Sequence, residues 1–117
     1  MSEAFIISHN GKCSKSRKTL ELLKENGIDP EILDYLGGEL SRSFIEAALL
    51  ALGVRPKDII RVKEEKFKEL NLDLEDDEAV VSAILKHPQL LERPIVMRGK
   101  RAVIGRPPER VLELLDK

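Results

Sequence analysis

The sequence predicts an α/β fold, a mixed four-stranded sheet with a helical insertion at about 41–87 between the second and third strands. Three observations predict it. A strand–helix–strand pattern fills the first 36 residues, the start of a crossover unit that sets two strands in parallel. Apolar residues then recur at helical spacing through the middle of the chain. A hairpin pattern and a short final helix close it. The 117 residues read as one domain, 1–117, able to bury one useful core.

Ala4 to Ile7 is a short apolar run, suited to a central or parallel strand. A loop, His9-Asn10-Gly11-Lys12-Cys13-Ser14-Lys15-Ser16-Arg17, leads into a helix. Ser14 or Ser16 is the expected cap. Leu20 and Leu23, with Leu22, form the helix's inner face, and Asn26-Gly27 stops it. Pro30 precedes a second strand, Glu31 to Leu36, which Gly37-Gly38 ends.

Ser41 is the expected cap of a helix whose stripe is Phe44, Ala47, Ala48, Ala51 and Leu52, closed by Gly53. Pro56 opens a short helix through Ile59 and Ile60. Lys63 to Glu69 reads as a solvated face anchored by Phe67 and Leu70. Acidic residues 75–78 suit the start of a further helix, with Val80, Val81, Ile84 and Leu85 inward and His87-Pro88 as its end. The block is expected to form a wall or lid beside the cysteine loop. Ile95-Val96-Met97, a turn at Arg98-Gly99-Lys100, and Arg101 to Ile104 make the hairpin. Gly105 to Pro108 breaks the second strand, and Val111, Leu112 and Leu115 form the apolar side of the last helix, which Leu114 widens.

Lys and Arg total 20 against 21 Asp and Glu, so the net charge of -1 gives no reason to expect nucleic acid as a partner. Aromatic residues are only 3% of the chain, which disfavours a base-stacking platform. No apolar run approaches the roughly 20 residues that span a bilayer, so no membrane association is expected. The N-terminus lacks the pattern of a secretory signal. One cysteine allows no internal disulfide, which fits a reducing, cytoplasmic setting.

Cys13 is the chain's only cysteine. A lone cysteine is most often a buried small hydrophobe. The polar and basic neighbours His9, Asn10, Lys12, Ser14 and Lys15 make a poor apolar wall. A thiol beside helix N–H groups and cations ionises readily, and the same place suits an oxyanion. Arg61, Arg93 and Arg106 each lie at the end of an expected element, and their guanidinium forks match tetrahedral oxyanions. Cys13, His9 and His87 lack a metal-ligand spacing, so no metal site is expected.

Four blocks stand in order: His9 to Arg17, Arg61 after Asp58-Ile59-Ile60, Glu92-Arg93-Pro94-Ile95-Val96, and Ile104-Gly105-Arg106-Pro107-Pro108-Glu109. Together they resemble the glutaredoxin-dependent arsenate reductase family of the thioredoxin-like superfamily. The likeness covers nearly the whole chain and is nearest to a subgroup of small arsenate reductase-like proteins. The resemblance implies a thioredoxin-like fold, catalytic Cys13 and an oxyanion-binding trio, Arg61, Arg93 and Arg106. It implies supporting roles for His9, Asn10, Ser16 and Arg17, with Ser16 hydrogen-bonding the thiolate, and a cis peptide at Pro94. Gly11 departs from the proline common at that motif position.

The resemblance also implies reduction of arsenate to arsenite through a Cys13–arsenate adduct. Glutathione is then the co-substrate and glutaredoxin the partner, with no tightly bound cofactor. A single cysteine cannot resolve the adduct internally, so an external thiol is required. Two other readings are a glutathione-linked thiol oxidoreductase with another substrate and a transcription-regulatory interaction protein of the same fold. The second is disfavoured by Asn10, which stands where a CxxC switch would need a cysteine.

Overall fold

The computed structural model describes residues 4–115, so the first three and last two positions of the expected 1–117 span lie outside the described residues. Four strands form one mixed sheet in the order β2-β1-β3-β4. They are β1 (Phe5–Ser8), β2 (Glu31–Leu33), β3 (Ile95–Arg98) and β4 (Arg101–Ile104). β1 runs parallel to β2 and antiparallel to β3, which pairs antiparallel with β4. Helix α1 (Ser14–Glu25) joins β1 to β2. Helices α2 (Arg42–Leu52), α3 (Glu65–Leu70) and α4 (Asp77–Lys86) lie between β2 and β3. This is the thioredoxin-like arrangement with its insertion in the expected place.

Both faces of the sheet are covered, and the strands' period of two explains how. Ile95 and Met97 of β3 face one core, with Tyr35, Ile45, Ala48, Val80 and Ile84. Val96, between them in sequence, faces the other core with Phe5, Ile7, Leu23, Val103 and Val111. The helical insertion therefore packs on one face, and α1 with the C-terminal segment packs on the other.

Several local expectations differ from what forms. Strand β2 stops at Leu33, not Leu36, because Asp34 accepts a hydrogen bond from the Gly37 amide and caps a 3-10 turn, Tyr35–Gly37. The turn buries Tyr35 completely. In α2, Ile45 and Ala48 are the buried residues while Ala47 is exposed, so the inner face is rotated from the expected alanine stripe. Ile45 carries far more apolar surface than Ala47, and burying it decides the rotation. The final helix, Pro108–Leu114, is 3-10 and not α, and its tighter turn buries Leu114 beside Val111 and leaves Leu112 exposed. The cap of α1 is Cys13 itself, not Ser14 or Ser16. The cap expected at Ser41 forms, its hydroxyl accepting from the Phe44 amide, and among the acids at the start of α4 it is Asp76 that accepts from the Ala79 amide. The β3–β4 turn is two residues long, and Gly99 at φ +60° supplies its left-handed position.

Two backbone exchanges bring distant segments to the head of β1. The Arg61 amide donates to Leu90 O at 2.7 Å, and the Glu92 amide to Ile59 O at 2.7 Å. Segment 59–61 is thereby held beside 90–92. The Gly105 amide donates to Pro94 O at 2.8 Å, which sets the end of β4 against the start of β3. A Cβ at 105 would lie 2.6 Å from Thr19 Oγ1 and 2.9 Å from Pro94 Cγ, so only glycine allows this approach.

Candidate active site

Ser8 ends β1, and the chain then leaves the sheet as the cysteine loop. The loop is built largely from its own polar groups. The Cys13 amide donates to Asn10 O at 2.9 Å, and the Lys12 amide to Asn10 Oδ1 at 3.0 Å. The buried Ser16 hydroxyl accepts from the Asn10 amide at 3.0 Å and lies 2.8 Å from His9 Nδ1. Arg17 donates to Gly11 O at 2.8 Å. Burial, then Arg17 and Lys24, lower the His9 pKa below its ordinary 6.5, so the ring is neutral at neutral pH. Its interaction with Ser16 ties the loop to the first turn of α1.

These bonds account for the cap. Because the Ser16 hydroxyl is taken by His9 and Asn10, it does not serve the helix's free amides. The Cys13 thiol makes no formal capping bond, yet the Ser16 and Lys15 amides face it. Partial burial pushes the Cys13 pKa up. The two amides and the Arg93 guanidinium outweigh that effect and leave the thiol below its ordinary 9.0. Ser16 therefore acts on sulfur through its backbone amide. The resemblance implies a Ser16 contact to the thiolate, and its side-chain hydroxyl is engaged instead by His9 and Asn10.

The arginines approach from three segments. Arg93 precedes a cis peptide to buried Pro94 and extends to Cys13. Arg106 Nε donates to Arg93 O at 2.7 Å and lies 3.1 Å from Glu92 Oε1. Arg61 pairs with Glu64 at 2.7 Å and lies 4.0 Å from the same Glu92 oxygen. Glu92 thus sits between Arg61 and Arg106. Arg93 reaches the thiol, and Arg61 and Arg106 meet at Glu92, because the paired segments 59–61, 90–94 and 104–106 carry them there. A second peptide, Arg106–Pro107, is also cis.

Three residues of this neighbourhood were not singled out from sequence. Glu92 was visible only as the residue before Arg93. Glu64, three residues after Arg61, had a helix-spacing signal. Tyr35 lies within the stretch that the sequence predicts as the second strand, and in the structure it opens the 3-10 turn. Its hydroxyl is buried without a hydrogen bond of good geometry, facing Arg93, Asn10, Cys13 and Arg61. Arg93 Nε is likewise buried without a partner. An unpartnered guanidinium donor at Arg93, beside the thiol, suits an oxygen-rich ligand.

Beside the loop runs a groove of about 570 Å³, lined by His9, Gly11, Arg17, Leu20, Glu21 and Lys24 among others. Among the described residues, no group of three or more His, Cys, Asp or Glu is disposed to hold a metal ion. No described helix is long and apolar enough to cross a membrane.

The model of the ArsC family matches residues 8–114. The arsenate reductase of Haemophilus influenzae is 46% identical over 113 residues, which cover 94% of this chain and 97% of that one. The uncharacterized protein YfgD of Escherichia coli K12 is 44% identical over 118 residues, covering 98% and 99%. The solved structure of an arsenate reductase from Vibrio cholerae superposes with a TM-score of 0.87 at 41% identity, covering 97% of this chain and 98% of its own.

Proposed function

The chain belongs to the ArsC family, and on that footing we propose that it reduces arsenate to arsenite with Cys13 as nucleophile. The observation that carries the proposal is the Cys13 thiol, held at the head of α1 with a lowered pKa and the Arg93 guanidinium upon it. The oxyanion rests on Arg61, Arg93 and Arg106. The thiolate forms a sulfur–arsenic bond as one arsenate oxygen, protonated, departs as water. The arginines balance the charge of the bound oxyanion and steady the leaving oxygen. His9, Asn10, Ser16 and Arg17 hold the loop in which this occurs, and Pro94 sets the direction of Arg93.

Arsenic must then gain two electrons, and this chain has no second thiol to give them. Glutathione supplies the attacking thiol and glutaredoxin reduces the resulting mixed disulfide. Thiol sulfur is oxidised to disulfide while arsenic(V) becomes arsenic(III). The groove beside the loop, with Arg17 and Lys24 in its wall, offers cations for glutathione's carboxylates.

The test is arsenite formation by purified protein supplied with arsenate, glutathione and glutaredoxin. Wild type should turn over repeatedly, and Cys13→Ser should be inactive with an unchanged circular dichroism spectrum. Sustained turnover by Cys13→Ser would remove the nucleophile. Thiol–disulfide exchange without arsenite formation would favour a glutathione-linked oxidoreductase acting on another substrate.

A further inference from the structure

An oxyanion site made of three arginines should be open to anions, yet this one already holds a carboxylate. Glu92 Oε1 lies 3.1 Å from Arg106 Nε and 4.0 Å from Arg61 Nε. Its side chain is 28% exposed, so it is only partly solvated. Glu64 takes a further share of Arg61 at 2.7 Å. With the thiolate, these two carboxylates balance the three guanidiniums. The cluster therefore has little net positive charge with which to draw in an arbitrary anion.

Glu92 is fixed in place by its own backbone, since its amide donates to Ile59 O, and by the arginines on either side. An anion that settles on Arg61, Arg93 and Arg106 must meet its carboxylate. An ionised carboxylate can only accept hydrogen bonds. An oxyanion with no proton can also only accept, so contact between the two is repulsive and unbonded. An oxyanion that keeps a hydroxyl can donate that proton to Glu92 while its other oxygens accept from the arginines.

We propose that Glu92 selects among oxyanions by their proton: it admits arsenate and phosphate, which carry a hydroxyl at neutral pH, and rejects sulfate, which does not. This inference rests on the oxyanion site proposed above and specifies its ligand class. Glu92 is here a selectivity residue that contacts the bound anion. Sites built to hydrogen-bond a hydroxyl reject analogues lacking it, because the site's own group is left unpaired.

The test is protection of Cys13 from iodoacetamide by phosphate, sulfate and fluorophosphate, at matched ionic strength and pH 7.5. It needs neither glutathione nor turnover. Wild type should be protected by phosphate at concentrations at least about tenfold lower than by sulfate. Fluorophosphate has the shape of phosphate but no hydroxyl proton at that pH, and should behave like sulfate. In Glu92→Gln the side-chain amide can donate, and the preference for phosphate over sulfate should collapse to roughly equal protection. Equal protection by all three anions in wild type would overturn the proposal and leave the oxyanion site standing. An unchanged preference in a folded Glu92→Gln protein would do the same. No protection by any anion would overturn both. The fluorophosphate comparison uses wild type alone, so it decides the question even if the variant does not fold.

Discussion

At Cys13, partial burial and local hydrogen bonding act in opposite directions, and the hydrogen bonding prevails. Arg93 contributes both a hydrogen bond and a charge to that balance. Arg93→Ala should therefore raise the thiol pKa, moving the midpoint of alkylation rate against pH upward. An unmoved midpoint would mean that the Ser16 and Lys15 amides suffice. The sign for stability follows from the same depression. The thiolate contributes stability above the unfolded thiol's pKa, and that contribution is lost as pH falls through the folded value. Sequence was informative here about residues with distinctive chemistry. Cys13, Arg61, Arg93 and Arg106 stood in ordered motifs. Glu92 and Tyr35 were opaque, because their significance arises from neighbours far away in the chain. Glu92 meets Arg61 only through the exchange between segments 59–61 and 90–92. Tyr35 faces Arg93 only because the chain turns after Leu33.

Among the elements, β1 and β3 meet where the site begins, and Ser8 joins them with its side chain. Its buried hydroxyl accepts from the Ile95 amide at 2.9 Å and lies 3.4 Å from Ile95 O. Ser8→Ala would leave the Ile95 amide buried without a partner, at a cost of about 1–3 kcal/mol. Urea unfolding should show a lower midpoint with an unchanged slope. No loss of stability would mean that Ile95 finds another acceptor. Periodicity located the helices, the hairpin and several caps. It misplaced the face of α2, where burial of Ile45 outweighs a run of small residues. The length of β2 and the 3-10 form of the last helix were also hidden. Both depend on local hydrogen bonds that residue type alone does not dictate.

Across the whole molecule, the sheet separates two cores that share its strands. Leu23 lies wholly buried on one side and Ile84 on the other. Truncating either to Ala should cost about 2–5 kcal/mol. If the chain is one folding unit, thermal unfolding remains a single transition in both variants, with the midpoint lowered in each. Two resolved transitions would count against the one-domain expectation. Exposed ion pairs such as Arg42 with Glu78 and Arg55 with Glu75 and Asp77 add little to this balance individually. They join α2, and the turn at Pro56, to the start of α4.

The order β2-β1-β3-β4 leaves β2 and β4 at the margins of the sheet. A bare margin is a template on which another chain's strand can add, which is how many proteins aggregate. Here β2 is three residues long and follows Pro30, with Glu31 as its first residue. β4 has four residues and begins with the exposed Arg101. Each margin is too short and too charged at its start for a foreign strand to find a long register. The same strand order that sets Arg93 beside the thiol thereby leaves little exposed edge for another chain to extend.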